Sequence, residues 1–302
     1  MQRTPRAEGE EVAPMSVAKL STRDRKSSRF SRGLRMALVG TFILTAAGGL
    51  AGCGSDEDIA YEERPVEQIY NTAMDYMEEG SYYRAAKEFD EVERQHPYSE
   101  WARRATLMSA YANYMTNKYD DAILGAQRFI QLHPGNKDVP YALYLTGLCY
   151  YERISDVGRD QKMTEDALNT FSELVRRYPK SEYARDARLK IDLTRDHLAG
   201  KEMEIGRWYL NQHDYIAAIN RFRTVILRYQ TTTHTPEALE RLTEAYLSLG
   251  IKPEAQTAAA ILGYNYPGSQ WYEDAYALLA GQGLKPEKHE GSWISEAWDS
   301  VF

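Results

Sequence analysis

Between residues 66 and 281, small and large apolar residues recur in five copies with a helical period. In each copy an alanine precedes a larger apolar residue by seven positions, which is two turns of an α-helix and places both on one face. A proline follows five residues later in all but one copy, and proline ends a helix because it lacks the N–H donor. The alanines are Ala85, Ala122, Ala167, Ala218 and Ala255, and the prolines are Pro97, Pro134, Pro179 and Pro267.

A second helix is predicted in front of each of these helices. Another small residue stands twelve positions before each alanine, displaced by an insertion in the third copy: Ala73, Ala110, Gly147, Gly206 and Thr243. Such a hairpin cannot bury its apolar stripe alone, so the copies are expected to stack. The pattern is that of the tetratricopeptide repeat. It predicts an all-α protein, an α-solenoid of five tetratricopeptide-like helical hairpins with a C-terminal capping helix.

Helix boundaries can be predicted from three serines and one long stretch without proline. A motif Pro-x-Ser-(Glu/Gln)-(Trp/Tyr) occurs three times, and its serine can accept a hydrogen bond from the free N–H groups of a first helical turn. The stretch from Ser181 to Asn211 predicts one long or slightly broken helix. The insertion at 152–165 predicts a polar loop, and 269–280 the capping helix. The motif serines are Ser99, Ser181 and Ser269.

The chain begins with the pattern of an export signal. Residues 19–35 carry seven Lys and Arg, and the following 15 residues carry no charge. The uncharged run falls short of the roughly 20 strongly apolar residues that a spanning helix requires. We therefore expect residues 1–52 to be a cleaved signal with an N-terminal extension, and the acidic, aperiodic residues 53–65 to be a tether.

Cys53 is the predicted site of lipid attachment. The signal ends in Leu-Ala-Gly-Cys, which resembles the bacterial lipobox, where the cysteine is acylated and becomes the new N-terminus. Such a lipid holds a protein on a membrane without spanning it. Gly54 follows, whereas Asp at that position retains similar lipoproteins at the inner membrane, so the resemblance implies the periplasmic face of the outer membrane. The alternative is an ordinary buried cysteine after an uncleaved anchor.

Charge and residue chemistry argue against nucleic-acid binding and against enzymatic activity. The chain has 37 Lys plus Arg and 44 Asp plus Glu, and beyond residue 52 the counts are 28 and 40, a net charge of −12. Nucleic-acid binding needs a surplus of Lys and Arg, so no such partner is expected. The six histidines lack metal-binding spacing, no phosphate loop or Gly-x-Ser-x-Gly motif occurs, and Cys149 lies among apolar neighbours. We expect no enzymatic activity, no metal and no cofactor beyond the lipid on Cys53.

The first helices of the hairpins predict a peptide-binding groove in the N-terminal half. Their second, fifth, ninth and twelfth positions line the inner face in solenoids of this kind. Tyrosine offers contact area at low entropic cost and methionine adapts to varied shapes, although single rings could instead pack between helices. The last hairpin has Glu237, Glu240 and Glu244 at these positions, so the two halves suit different partners. The candidate groove residues are Tyr70, Met74, Met77, Leu107, Tyr111, Tyr114, Tyr141, Tyr144 and Tyr151.

A lipobox followed by five such repeats and a long helix before the fourth resembles the BamD family, lipoproteins of the outer-membrane β-barrel assembly machine (BAM complex). The likeness covers residues 50 to about 281 and is close over 171–210 and 215–229. It implies a non-enzymatic subunit whose N-terminal half, 66–180, recognises C-terminal targeting signals of unfolded outer-membrane proteins. It implies that the C-terminal half, 181–281, binds the subunit BamA through Arg221. Other BAM subunits and outer-membrane lipid are the further partners implied.

One alternative stays open. Another periplasmic repeat lipoprotein, a scaffold for cell-wall synthesis or division, would share the anchor and the solenoid. An enzyme such as a lytic transglycosylase would need an added compact domain, for which residues 282–302 leave no room.

The tail, residues 282–302, predicts a short amphipathic helix, because Trp293, Ala297 and Val301 recur at intervals of four. We expect it to dock on a partner or on its own solenoid, since its aromatic residues would otherwise be exposed.

Overall fold

The computed structural model describes residues 63–300, and within that range it contains twelve α-helices and no β-strand. The predicted signal, Cys53 and most of the tether lie outside the described residues, as do Val301 and Phe302. Between residues 63 and 300, no helix combines the length and the apolar composition that a membrane crossing requires. The helices are α1 (Val66–Glu78), α2 (Tyr82–Gln95), α3 (Glu100–Met115), α4 (Tyr119–Leu132), α5 (Val139–Tyr151), α6 (Lys162–Arg177), α7 (Glu182–Asn211), α8 (Tyr215–Arg228), α9 (Thr235–Ser248), α10 (Lys252–Asn265), α11 (Gln270–Gly281) and α12 (Trp293–Asp299).

Ten of these helices pair into five hairpins, α1–α2, α3–α4, α5–α6, α7–α8 and α9–α10. The first helices of neighbouring hairpins also contact each other, α1 with α3, α3 with α5 and α5 with α7. We call the surface formed by α1, α3, α5, α7 and α9 the first-helix face, and that formed by α2, α4, α6, α8 and α10 the second-helix face. Helix α11 packs on α9 and α10 and closes the stack. The predicted solenoid of five hairpins with a capping helix is confirmed.

The helices of a hairpin come closest at the small residues of the repeat pattern. All five repeat alanines are fully buried. A Cβ atom on Gly147 would lie 2.5 Å from the ring of Phe171, and one on Gly206 would lie 2.4 Å from the ring of Phe222. Both rings are fully buried, and burying a phenylalanine stabilises a fold by roughly 1.5–3 kcal/mol. A ring against a glycine therefore sets the helix spacing in the third and fourth hairpins.

The turns inside four of the hairpins share one left-handed residue. It stands five positions before the repeat alanine in each case. Glycine adopts a positive φ without strain, whereas a side chain with a Cβ is strained there by about 1 kcal/mol. In the third hairpin the residues 152–161 form a longer loop instead. The left-handed residues are Gly80 (φ 73°), Asn117 (φ 59°), His213 (φ 60°) and Gly250 (φ 75°).

Two of the three predicted serine caps are present. The Ser99 hydroxyl accepts a hydrogen bond from the Ala102 N–H at 3.0 Å, and the Ser269 hydroxyl accepts one from the Tyr272 N–H at 3.2 Å. The prediction for Ser181 is wrong. Although α7 begins next to it, its hydroxyl is buried and makes no capping hydrogen bond.

The long helix is continuous. Helix α7 runs for 30 residues, so the glycines within it cause no break. Gly200 is buried against His234, whose Nε2 would lie 3.2 Å from a Cβ at position 200. The polar loop inside the third hairpin is shorter than expected, because α6 already begins at Lys162 and includes Glu165.

The tail folds back onto the solenoid. Helix α12 contacts α8 and α10 on the second-helix face, and its Ile294, Ala297 and Trp298 are buried. The indole N–H of Trp293 donates a hydrogen bond to the Tyr246 hydroxyl at 2.8 Å. The described part of the tail therefore forms a short helix whose apolar side is covered by the protein itself.

Replacing His213 by glycine is expected to stabilise the fold by about 1 kcal/mol, because glycine relieves the strain of a positive φ. The histidine loses only an exposed contact with the Tyr215 hydroxyl. The measurement is the free energy of unfolding from urea denaturation. Gln212→Gly is the matched control, since Gln212 has a φ of −86° and glycine there should lower stability. Equal effects of the two changes would contradict a strained turn.

Candidate functional site

Eight of the nine candidate groove residues lie half-buried on the first-helix face. They come from α1, α3 and α5, the first helices of the N-terminal half. Leu107 is the exception, because it is only 7% exposed and packs mainly into the core. It reaches solvent at the wall of a cavity of about 270 Å³, so it offers a ligand little surface. The eight are Tyr70, Met74, Met77, Tyr111, Tyr114, Tyr141, Tyr144 and Tyr151.

Aromatic contacts between neighbouring hairpins hold several of these rings in place. The ring centre of Tyr70 lies 4.8 Å from that of Trp101 on α3 and 5.5 Å from that of Phe89. Tyr144 on α5 stacks on Tyr183 of α7 with 5.3 Å between ring centres. Such pairs contribute about 0.5–1.5 kcal/mol beyond the burial of their area. These rings therefore pack between helices and also present one side to solvent.

Two tyrosine hydroxyls are oriented by carboxylates. Tyr144 donates a hydrogen bond to Asp186 at 2.5 Å, and Tyr114 donates one to Glu152 at 3.4 Å. Burial raises the pKa of Tyr144, and the hydrogen bond to Asp186 raises it further. Burial, with the charge of Glu152 second, raises the pKa of Tyr114 to about 12. Both side chains are therefore neutral, ordered aromatic groups near neutral pH.

Tyr111 is the least engaged ring of this face. It packs at the edge of the core of the second and third hairpins and lies near Tyr141. Within residues 63–300 it takes part in none of the ring contacts or hydrogen bonds that hold Tyr70, Tyr114 and Tyr144. Its ring and hydroxyl are the ones most available to a ligand.

Two cations border the tyrosines. Burial raises the pKa of Tyr70, and the nearby positive charge of Arg104 partly opposes that shift. In the described part of the chain Arg104 forms no ion pair, and it lines the cavity of about 270 Å³ that Leu107 also reaches. Lys190, by contrast, lies 5.0 Å above the ring of Tyr151 and pairs with a carboxylate of α7 at 3.4 Å. Arg104 is thus the guanidinium that a ligand carboxylate could reach.

Arg221 extends from α8 toward α7. Its guanidinium lies 3.2 Å from a carboxylate oxygen of Glu202, and both side chains are partly exposed. It also lines a cavity of about 260 Å³ together with Tyr209 and Asn220. A partly exposed ion pair of this kind contributes at most about 1 kcal/mol, so a carboxylate of another protein could displace Glu202.

The carboxylates of the fifth hairpin surround a single arginine. Arg241 lies 3.8 Å from Glu237, 3.3 Å from Glu240 and 2.9 Å from Glu244. Arg207 of α7 adds a second cation, 3.1 Å from Glu237. Glu240 is 3% exposed, and its burial, partly opposed by Arg241, raises its pKa to about 7. The acidic surface predicted for this half is therefore largely neutralised within the protein.

Among the described residues there is neither a reactive thiol nor a metal site. Cys149 is fully buried, and burial raises the pKa of its thiol to about 12. Because the thiolate is the reactive form, this side chain acts as a small apolar residue. Between residues 63 and 300, no three His, Cys, Asp or Glu side chains come together as a metal site.

Two features escaped the sequence analysis. Trp101 and Tyr183 complete the aromatic clusters although they stand on the next hairpin, which a rule applied to one helix at a time does not reach. Both are the aromatic residue of the Pro-x-Ser-(Glu/Gln)-(Trp/Tyr) motif, so a signal was present. A cleft of about 730 Å³ also lies elsewhere, between α2 and α4 on the second-helix face.

Glu240 is expected to make the fold less stable as the pH rises. Its carboxyl binds a proton more tightly in the folded chain, so stability is full below its ordinary pKa and falls as the pH rises through about 7. Glu240→Gln should remove up to about 3 kcal/mol of this pH dependence. Urea denaturation at pH 5 and pH 8 measures it, with Glu273→Gln as the control, since Glu273 is exposed on α11 and lies outside this cluster. Parallel profiles for wild type and Glu240→Gln would contradict the raised pKa.

Among solved structures, the TPR2AB domain of yeast Sti1 in its complex with pHSP90 is 12% identical in sequence with a TM-score of 0.37, covering 72% of this chain and 84% of that one. Residues 62–262 match the family YfiO, described as outer membrane lipoprotein.

Two relatives carry the same name, outer membrane protein assembly factor BamD. The one from Caulobacter vibrioides is 53% identical over 251 residues, covering 83% of this chain and 82% of the relative. The one from Rickettsia prowazekii is 45% identical over 230 residues, covering 76% and 92%. Identity at this level over most of both chains identifies a common family. The chain belongs to the family of outer membrane protein assembly factor BamD.

Proposed function

We propose that this chain is a non-enzymatic subunit of the BAM complex, which folds and inserts outer-membrane proteins. In this role it holds two kinds of polypeptide: the C-terminal targeting signals of unfolded outer-membrane proteins, and BamA. The name shared by its relatives supports the assembly role.

Signal recognition is supported by the tyrosines of the first-helix face. We call them the tyrosine surface: Tyr70, Tyr111, Tyr114, Tyr141, Tyr144 and Tyr151. Its rings are held by packing and carboxylates, so little conformational entropy is lost when a peptide binds. An aromatic side chain at the end of a signal can pack against Tyr111, which lies at the edge of the core and takes part in none of the ring contacts or hydrogen bonds that hold Tyr70 and Tyr144. The terminal carboxylate of such a peptide can pair with Arg104, which has no ion-pair partner in the described chain.

In this proposal BamA binds the C-terminal half, with Arg221 as the contact. The side chain is partly exposed at the junction of α7 and α8, and its pair with Glu202 orients the guanidinium. An acidic residue of BamA can share or replace that partner at low cost, because exposed ion pairs contribute little. The tyrosine surface lies on other hairpins, so the two binding functions can be separated by mutation.

The lipid on Cys53 is the proposed anchor at the periplasmic face of the outer membrane. The lipobox and the family description as outer membrane lipoprotein support it. Acyl chains contribute about 0.8 kcal/mol for each buried methylene group, so several chains together attach a protein lastingly. The acidic residues 53–65 would then connect the lipid to α1.

Alanine at both Tyr111 and Tyr114 is expected to weaken binding of a synthetic peptide that ends in phenylalanine by at least about tenfold, because truncating a central aromatic contact costs about 1–2 kcal/mol or more. Fluorescence anisotropy of the labelled peptide measures it. Tyr264→Ala is the control, since Tyr264 is exposed on α10 and should leave the affinity unchanged. BamA should be retained by all variants in a pull-down. Unchanged peptide affinity in the double variant would refute the tyrosine site.

Arg221→Glu is expected to release BamA in a pull-down, because it turns an attraction into repulsion from both Glu202 and the partner's acidic residue. Peptide affinity should stay within about twofold of wild type. Glu202→Gln is the matched control, since it breaks the internal pair but keeps the cation, and it should retain BamA. A reversed charge on BamA should rescue Arg221→Glu. Full complex yield with Arg221→Glu would reject the assignment.

A further inference from the structure

The tail helix occupies a groove that the repeat architecture creates more than once. Two neighbouring hairpins leave a groove between their second helices, with the first helix of the later hairpin beneath it. At the fourth and fifth hairpins α12 fills this α8–α10 groove. The ring of Trp293 lies 4.6 Å from the guanidinium of Arg223, and Gln230 donates a hydrogen bond to the Ala297 carbonyl at 3.1 Å. The groove can thus hold a short amphipathic helix.

The cleft of about 730 Å³ between α2 and α4 is the same groove three hairpins earlier. Asp90 stands five residues after Ala85, as Arg223 stands five residues after Ala218. On the other wall, Leu124 corresponds to Thr257, which accepts a hydrogen bond from the tail's backbone at 3.1 Å. We call this space the α2–α4 cleft. Its position in the repeat is that of a helix-binding groove.

The floor of the α2–α4 cleft is more polar than that of the filled groove. Leu239 and Leu242 of α9 share a core cluster with Ile294 of the tail. Thr106 and Ser109 stand at the corresponding positions of α3. The apolar side of the tail therefore does not match this cleft, and a second copy of α12 is disfavoured as its occupant.

The α2–α4 cleft is lined by four cations, Lys87, Arg94, Lys118 and Arg128, and by three carboxylates, Asp90, Glu93 and Asp121. The ammonium groups of Lys87 and Lys118 lie 4.7 Å and 4.5 Å from the ring centre of Tyr83, and within residues 63–300 neither forms an ion pair. Among the carboxylates, Asp90 accepts a hydrogen bond from the Ser109 hydroxyl at 2.6 Å, and Glu93 pairs with Arg128. Leu124 is 68% exposed on the opposite wall. Because the lining has one more cation than carboxylates, Lys87 and Lys118 beside the exposed Leu124 can attract an acidic amphipathic segment.

We propose that the α2–α4 cleft binds a short acidic amphipathic helix of a partner protein. Acidic side chains of that helix pair with Lys87 and Lys118, and an apolar side chain packs on Leu124. A helix satisfies its own backbone hydrogen bonds, whereas an extended peptide would need backbone partners that two helical walls do not provide. This site lies on the second-helix face and uses neither the tyrosine surface nor Arg221, so it adds a third docking surface to the proposed function.

Site-specific photocrosslinking in intact cells tests the proposal on the full chain. The photoreactive amino acid p-benzoylphenylalanine replaces Leu124, and mass spectrometry maps the captured residue on the partner. The expected result is one adduct within a helical segment of another protein that carries at least two acidic residues. Lys87→Glu with Lys118→Glu should lower the adduct yield by at least about tenfold, because both attractive pairs become repulsive.

Lys180→Glu with Lys252→Glu is the matched control, since these exposed lysines lie outside the cleft and their reversal should leave the yield unchanged. Thermal unfolding of the purified variants checks that each remains folded. The proposal is overturned by the lack of an adduct, by an adduct insensitive to the cleft lysines, or by one on the end of an unfolded outer-membrane protein or on a second copy of this chain. Peptide affinity and BamA retention test the proposed function separately, because the cleft variants should alter neither.

Discussion

The close approach of paired helices across residues without large side chains is the constraint on which this architecture depends. Where Phe171 meets Gly147 and Phe222 meets Gly206, the ring leaves no room for even a methyl group. This contact fixes the distance between the helices of a hairpin, and hence which side chains reach either face. Because every hairpin repeats the geometry with small variations, the stack presents one row of first helices and one row of second helices along its whole length.

The repeat pattern made the helices predictable, because buried small residues and terminating prolines act locally. Helix α7, the first helix of the fourth hairpin, and the capping helix α11 begin and end within one residue of their predicted bounds. Side-chain partnerships were less predictable, since they join different hairpins. Tyr183 stacks on a ring 39 positions earlier, and Ser181 fails as a cap although its motif matches two that succeed. A placement error of one residue turns a side chain by about 100°, which separates a packed ring from an exposed one.

The two halves of the solenoid use their polar groups differently. In the C-terminal half Glu237, Glu240 and Glu244 surround Arg241, and the tail covers the groove between α8 and α10. In the described N-terminal half Arg104 lacks a carboxylate partner, and the corresponding groove is open. The unpaired state of Arg104 could not be predicted from composition, because ion pairing depends on which charged side chains the fold brings together. The open groove could not be predicted either, since its filled counterpart involves a tail segment whose contacts lie 47 and 67 residues further along the chain.

The unbroken helix α7 connects these two halves. Its N-terminal part packs against the third hairpin, and its C-terminal part is the first helix of the fourth. At 1.5 Å per residue its 30 residues span about 45 Å. The two halves are therefore joined by one continuous, rigid helix instead of a flexible linker. A partner that binds at both ends of α7 at once would gain avidity if its two binding segments matched this spacing. A partner whose segments are spaced differently would gain none.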